Sequence, residues 1–308
     1  MNRRNLLKSA ASVATGAGLL AAGPHAVLGA GTKSAASTDK LLPVPFIETG
    51  DGAFLFCKEW GTGKPVLFLH SWAVHSDLWQ YQMIDLSNRG IRCIAYDMRG
   101  HGRSSDPGRG FNFDNLADDL HTVIERFGLR EACVVGHSVS CGVIVRYLLR
   151  HGSSRISRAV LVSPSMQLKT DDDPQGSGRA ASDQARPSWI KDFPKWLGEN
   201  ARPFFVPETS QEMVQFGIDM CLQASLKALL DVHLADKGTD FRAALPKVHV
   251  PTLVIHGDRD HSVPADRGRE VAKLIPGAEF KLYEGAPHGL MFTHMDRLNA
   301  DLVAFTKG

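Results

Sequence analysis

Cysteine is sparse and unpatterned in this 308-residue sequence. The five, Cys57, Cys93, Cys133, Cys141 and Cys221, are odd in number and form no Cys-x-x-Cys pair. That spacing excludes a disulfide framework and a cysteine-based zinc site. Cys57, Cys93 and Cys133 fall in apolar runs and read as buried thiols, while a single bridge stays open. An excess of one charge is also missing. The formal net charge is +2, and residues 1–30 hold Arg3, Arg4 and Lys8 with no acid, so removing them takes the balance to −1. A near-neutral body has no basic stripe, which excludes nucleic acid as an expected partner. The weakly apolar run over residues 10–23 is too short and too rich in Ala and Gly for a comfortable membrane span. No internal repeat is evident.

What the N-terminus does have is "NRRNLLK", with Arg3 and Arg4 placed before Leu6, Leu7 and Lys8, which resembles a twin-arginine motif. The expectation for residues 1–36 is a cleaved export signal and linker rather than a stable membrane anchor. Ala30 and Ser34/Ala36 are both acceptable cleavage points, and no Cys precedes Cys57 to carry a lipid. The twin-arginine export machinery is then a transient partner, the location is periplasmic or secreted, and homo-oligomerisation stays open.

The whole sequence is 43% hydrophobic and 22% charged, an ordinary globular balance with enough length for one sizeable core. Short apolar runs at 54–60, 65–70, 91–97, 132–136, 158–163, 251–256 and 278–283 are bounded by Gly, Pro and Asn, as strands covered on both faces should be. Helical spacing fills the gaps. Over 114–127, Leu116, Leu120, Ile124 and Phe127 share a face, Asp114 is the expected N-cap and Gly128 the stop. The fold class expected is α/β: a mostly parallel sheet of about eight strands flanked by helices. The alternation breaks after 164. "KTDDDPQGSGRAASDQARP" (169–187) reads as a polar loop, followed by Trp189, Phe193, Trp196, Phe204, Phe205 and Phe216 among helix formers. This predicts core at 37–164, a helical lid at 165–240 inserted after the sixth strand, and core again at 241–308.

In a parallel sheet the working groups gather at the carboxyl ends of the strands. "CVVGHSVSCG" (133–142) places Ser138 at one such end, in a turn that lacks the second glycine of a Gly-x-Ser-x-Gly elbow because Ser140 stands there. "GDRD" supplies Asp258 and Asp260 at another end, and "EGAPHG" supplies His288 at a third. A serine hydroxyl becomes a nucleophile when an imidazole takes its proton. A carboxylate then fixes the imidazole's tautomer and stabilises its cation. Serine, acid and histidine appear in the chain order Ser138, Asp260, His288, each at a strand end.

"YDMRGHGRSSDP" (96–107), "PTLVIHGDRDHSVP" (251–264) and "YEGAPHGLMFTHMDRLNADLVAFTKG" (283–308) carry a resemblance over residues 50–308. The sequence resembles the α/β-hydrolases, in the branch of cofactor-free haloperoxidases/perhydrolases and esterases–lactonases. The resemblance implies a catalytic acid at Asp260, with Asp258 shaping the loop, a base at His288, and an oxyanion hole from the backbone N–H groups of Val139 and Trp72. It implies no metal, haem or nucleotide cofactor. The substrate class is a small carboxylic ester or lactone cleaved through an acyl-enzyme, with peracid formation from peroxide as a side reaction. Trp72, Trp189 and Phe204 are the expected substrate-binding residues. Two positions depart from the family pattern: Ser71 for the usual glycine of a His-Gly pair, where altered loop geometry is expected, and Ser140. "GHSVS" also resembles elbows of plant strigolactone receptors and bacterial stress-signalling relatives, so a ligand-sensing protein with slow or no turnover is the second reading. His70, His101 and His137 are expected to pack loops. "HGDRDH" (256–261) is not expected to hold a metal, since no second cluster completes a site.

Overall fold

Alternation along single strands decides the layering. Leu67 and Leu69 enter one apolar cluster with residues of three helices, Phe113–Arg126, Val139–His151 and Ala265–Leu274. Val66 and Phe68, one position out of phase, enter a second cluster with Gln80–Asn88 and Met295–Lys307. A strand that is apolar on both faces is buried on both, and each buried aliphatic or aromatic side chain is worth roughly 1.5–3 kcal/mol.

The computed structural model describes residues 45–169 and 179–308, all within the unit Leu41–Gly308. The export signal and linker expected at 1–36 lie outside the described residues. The strands are β1 Phe46–Glu48, β2 Phe54–Trp60, β3 Lys64–Leu69, β4 Ile91–Tyr96, β5 Ala132–His137, β6 Ile156–Val162, β7 Thr252–Gly257 and β8 Glu279–Tyr283. They form one eight-stranded sheet in the order β1-β2-β4-β3-β5-β6-β7-β8. β1 and β2 are an antiparallel hairpin, β2 runs antiparallel to β4, and the pairings from β4 through β8 are parallel. The carboxyl ends of β3 to β8 therefore share one edge. The strand β1 was not anticipated, because three residues are too few to show a period.

The helices are α1 Gln80–Asn88, α2 Phe113–Arg126, α3 Val139–His151, α4 Arg179–Asn200, α5 Gln211–Cys221, α6 Leu226–Gly238, α7 Ala265–Leu274, α8 Leu290–Thr293 and α9 Met295–Lys307. Two expectations need correction. Asn112, not Asp114, caps α2: its backbone is extended and its side chain accepts the Asn115 N–H at 3.0 Å, leaving Phe113 as a buried first residue. The expected loop at 169–187 is helical from Arg179, where the helix formers of "RAASDQA" outweigh its polarity; residues 170–178 are not described. Between β6 and β7 lie α4, α5 and α6. α4 bends at Asp192 (φ −163°, ψ 79°), whose Oδ1 accepts the Lys195 N–H at 3.0 Å. Asp192 thus starts a second helical stretch, and Pro194 sits in its first turn, where no N–H is needed.

Candidate active site

Ser138 closes β5 and opens α3 with φ 56° and ψ −115°, a conformation that a residue with a Cβ adopts only under strain. Its N–H donates to Val162 O at 2.9 Å and its carbonyl accepts the Cys141 N–H at 3.1 Å, so both neighbouring segments hold the turn. Strand and helix pass closest at Gly136, where a Cβ would lie 2.7 Å from Ile144 Cδ1 and 3.1 Å from the Ser140 backbone. Ser140 itself has room. Its buried hydroxyl accepts the His137 N–H at 2.8 Å, and its own hydrogen lies between His137 O at 3.0 Å and Leu69 O at 3.1 Å. The absent glycine is replaced by a polar bridge to the end of β3. Val139 is the first residue of α3, so its N–H has no partner within the helix.

Asp260 and His288, from the segments after β7 and β8, meet at 2.6 Å between Oδ2 and Nδ1. The other carboxylate oxygen accepts the N–H groups of Ser262 and Val263 at 2.9 and 2.8 Å. Burial opposes ionisation of Asp260, but His288, His256 and the Val263 N–H outweigh it and hold the carboxyl well below the usual carboxylate range. Asp258 takes a different task, accepting the Gly285 N–H at 2.7 Å. His256 Nε2 donates to Val263 O at 2.9 Å and lies 3.3 Å from Asp260 Oδ2. His137 Nε2 donates to the His288 carbonyl at 3.0 Å, which fixes the backbone beneath the imidazole. Burial, with His288 adding to it, drives the His137 pKa well below its ordinary value.

The loop after β3 presents Trp72. Met98 N–H donates to His70 Nε2 at 2.7 Å, so the ring proton sits on Nδ1 and is given to Ser71 O at 2.8 Å. Holding the Ser71 carbonyl fixes the planar peptide that also carries the Trp72 N–H, aimed the opposite way. The unusual backbone expected at Ser71 occurs instead at Ala73 (φ 68°). Burial pushes the His70 pKa down to about 3. The Trp72 indole donates to Leu229 O of α6 at 2.9 Å.

Ser138, Val139, Trp72 and His288 all line one cavity of about 350 Å³. Beside His288 stands a phenylalanine wall: Phe204 lies 5.7 Å from the imidazole, ring centre to ring centre, with Phe205 and Phe292 behind. Beside Trp72 stands a tryptophan wall, with Trp189 at 5.0 Å and Trp196 at 6.3 Å. Trp72, Trp189 and Phe204, predicted to bind substrate, are thus brought together. Sequence reasoning missed several polar members: Ser165, His233, Asp236 and Lys237 are among the residues that also line the cavity. The available signal was on α6, where His233 and Asp236 share the face of buried Leu229 and Val232. All five cysteines are free, and burial raises the Cys57, Cys93 and Cys133 thiols to about 12. Among the described residues no cluster of His, Cys, Asp or Glu could hold a metal ion.

A family model described as serine aminopeptidase, S33, matches residues 63–294. A non-heme haloperoxidase of Rhodococcus erythropolis is 36% identical over 271 residues, which cover 85% of this chain and 99% of the relative. The chain belongs to the α/β-hydrolase superfamily. Within it, this hydrolase falls in the haloperoxidase and esterase branch. A bifunctional esterase/perhydrolase of Acinetobacter calcoaceticus is 33% identical, over 85% of the hydrolase and 99% of the relative. The crystal structure of a bromoperoxidase from Bacillus anthracis superposes with a TM-score of 0.81 at 33% identity, covering 85% of this hydrolase and 99% of that chain.

Proposed function

We propose that this hydrolase cleaves small carboxylic esters and lactones through an acyl-enzyme on Ser138. The observation that carries the reading is the 2.6 Å pair of His288 Nδ1 and Asp260 Oδ2 beside the cavity that Ser138 also lines. Ser138 Oγ attacks the carbonyl carbon while His288 Nε2 takes its proton. The buried Asp260 carboxylate holds the proton on Nδ1 and offsets the positive charge that develops on the ring. The N–H groups of Val139 and Trp72 receive the oxyanion. His288 then protonates the leaving oxygen, and the C–O bond breaks to give the acyl-enzyme. A water molecule, deprotonated by His288, adds to the acyl carbon. Collapse releases the acid and returns the proton to Ser138. Hydrogen peroxide in place of water would give a peracid, the activity named for the Acinetobacter relative. The inserted helices between β6 and β7 serve as the lid, and a cavity of about 350 Å³ suits a small substrate. Residues 1–36, with Arg3 and Arg4, act as a twin-arginine export signal.

A fluorophosphonate probe and short p-nitrophenyl esters test this reading. Rapid labelling of Ser138 together with ester turnover is expected, and Ser138→Ala should abolish labelling and lower kcat by about 10⁴-fold or more. Labelling without turnover across a panel of esters and lactones would favour the ligand-sensing reading.

A further inference from the structure

The reaction geometry assigns the two aromatic walls to the two halves of the substrate. This step rests on the function proposed above. His288 must protonate the leaving oxygen, so the leaving group lies on the imidazole's side, against Phe204 and Phe292. The acyl substituent then turns the other way, toward the wall built on Trp72.

That wall is not wholly apolar. Asp236, 5% exposed, accepts the Ser165 hydroxyl at 2.9 Å on Oδ1, and the Lys237 ammonium lies 3.2 Å from Oδ2. Ser165, Asp236 and Lys237 all reach the cavity surface, and none has a task in the triad. Burial raises the Asp236 pKa above its ordinary value, while Lys237 and the Ser165 hydroxyl act the other way and favour the charged form, so further hydrogen bonds to this carboxyl group are favourable. On the same wall two further polar atoms are buried without a partner, Trp189 Nε1 and His233 Nε2. The two rings stand 4.9 Å apart at 90°. Burial, reinforced by Lys237 and Arg186, lowers the His233 pKa to about 4, so its ring is neutral at ordinary pH. The wall therefore presents an acceptor, two kinds of donor and unspent hydrogen-bonding capacity.

We infer that this polar floor selects esters and lactones whose acyl part carries a neutral hydroxyl, seated between Asp236, Lys237 and Ser165. A hydroxyl donates to the carboxylate and accepts from the ammonium at once. A charged acyl substituent would gain from one member of the pair about what it loses to the other, and it would also have to be desolvated in a mainly aromatic cavity, so neither a carboxylate nor an ammonium is favoured. A plain alkanoyl chain would exclude water from this pair without offering a hydrogen bond in its place.

The test compares p-nitrophenyl 3-hydroxybutyrate, butyrate and hydrogen succinate on the same protein. The wild-type kcat/KM should favour the hydroxy ester over butyrate by about 10-fold or more, with the succinate ester poorest. Asp236→Leu should bring the hydroxy/butyrate ratio to about 1, with folding of the variant checked separately by thermal denaturation and by fluorophosphonate labelling of Ser138. Lys237→Met is the second variant, expected to lower the same ratio. A wild-type ratio near 1, a preference for the succinate ester, or ratios unchanged in both variants would overturn the inference. A binding experiment separates it from the proposed reaction: Ser138→Ala protein is titrated with ethyl 3-hydroxybutyrate and with ethyl butyrate, read by tryptophan fluorescence. If no ester is turned over but the hydroxy ester binds at least about 10-fold tighter, the proposed reaction fails and the selective floor stands. Equal binding overturns the floor.

Discussion

At the carboxyl edge of the sheet, position is set by short hydrogen bonds among the strand ends and the turns that follow them. Ser138 is held from Val162 and Cys141, Asp260 from Ser262 and Val263, and the Ser71 peptide from His70. The helices inserted between β6 and β7 reach the same cavity with few such ties. Trp72 Nε1 to Leu229 O, Ser225 N–H to Gly100 O and the Ser165 hydroxyl to Asp236 Oδ1 fasten α6, Gly289 N–H to Phe204 O holds the segment after α4, and α4 itself packs its own rings, Trp189, Phe193 and Trp196, against one another. Aromatic packing tolerates small displacements that a 2.6 Å ion pair does not. Chemistry is assigned to the rigid region and selection to the adaptable one.

The largest effect that could break this contrast comes from Asp260. Asp260→Asn keeps the shape but loses the charge and favours the wrong imidazole tautomer, so kcat on p-nitrophenyl acetate should fall by about 10³–10⁴-fold. Its melting temperature should stay within a few degrees of wild type, read by thermal denaturation. A loss under about 10-fold would remove Asp260 from its assigned task.

A smaller effect concerns acid. His70 has a folded pKa of about 3 against an ordinary 6.5, so the unfolded chain takes up the proton first as pH falls. The stability this ring contributes is complete above about 6.5 and is lost progressively toward 3. Between pH 7 and pH 5 it should amount to about 1–2 kcal/mol in urea denaturation. A glutamine amide can accept from Met98 N–H and donate to Ser71 O without titrating. His70→Gln should therefore show a flatter pH dependence by that amount, and an unchanged slope would sink the assignment.

The smallest effect is expected in the insertion. Trp196 stacks on Phe193 with ring centres 6.0 Å apart. Trp196→Leu should change KM by a few-fold while kcat on p-nitrophenyl acetate stays within about 3-fold. A 100-fold fall in kcat would show that the insertion positions the reacting atoms after all.

The same contrast explains what could be read in the sequence. The continuous apolar runs that became β3, β5 and β7 lead into His70, Ser138 and Asp260, and the gathering of working groups at the carboxyl ends of parallel strands was enough to place those residues along one edge. The Asn112 cap was missed because two side chains within reach of the same N–H groups differ only in backbone conformation. The polar floor was missed for a related reason. A histidine and an aspartate on α6 reveal what they meet only once the facing helix and the β6 turn are in place. Ser165, a small residue just past a strand, carries no periodic signal at all.

One hydroxyl described above has a consequence for motion. Ser140 Oγ lies between the nucleophile turn and Leu69 O, 71 positions away along the chain, and the same carbonyl accepts the Trp79 indole N–H at 2.9 Å. A glycine at 140 would remove this side-chain tie and leave the β3–β5 ladder, which ends at the Leu69–Gly136 pair, as the direct link between the two loops. With the serine, the attacking oxygen and the loop bearing the Trp72 N–H ride on a common anchor, so their thermal displacements are correlated. The spacing between nucleophile and oxyanion donor is then buffered against breathing of the sheet, whatever the helices above it are doing.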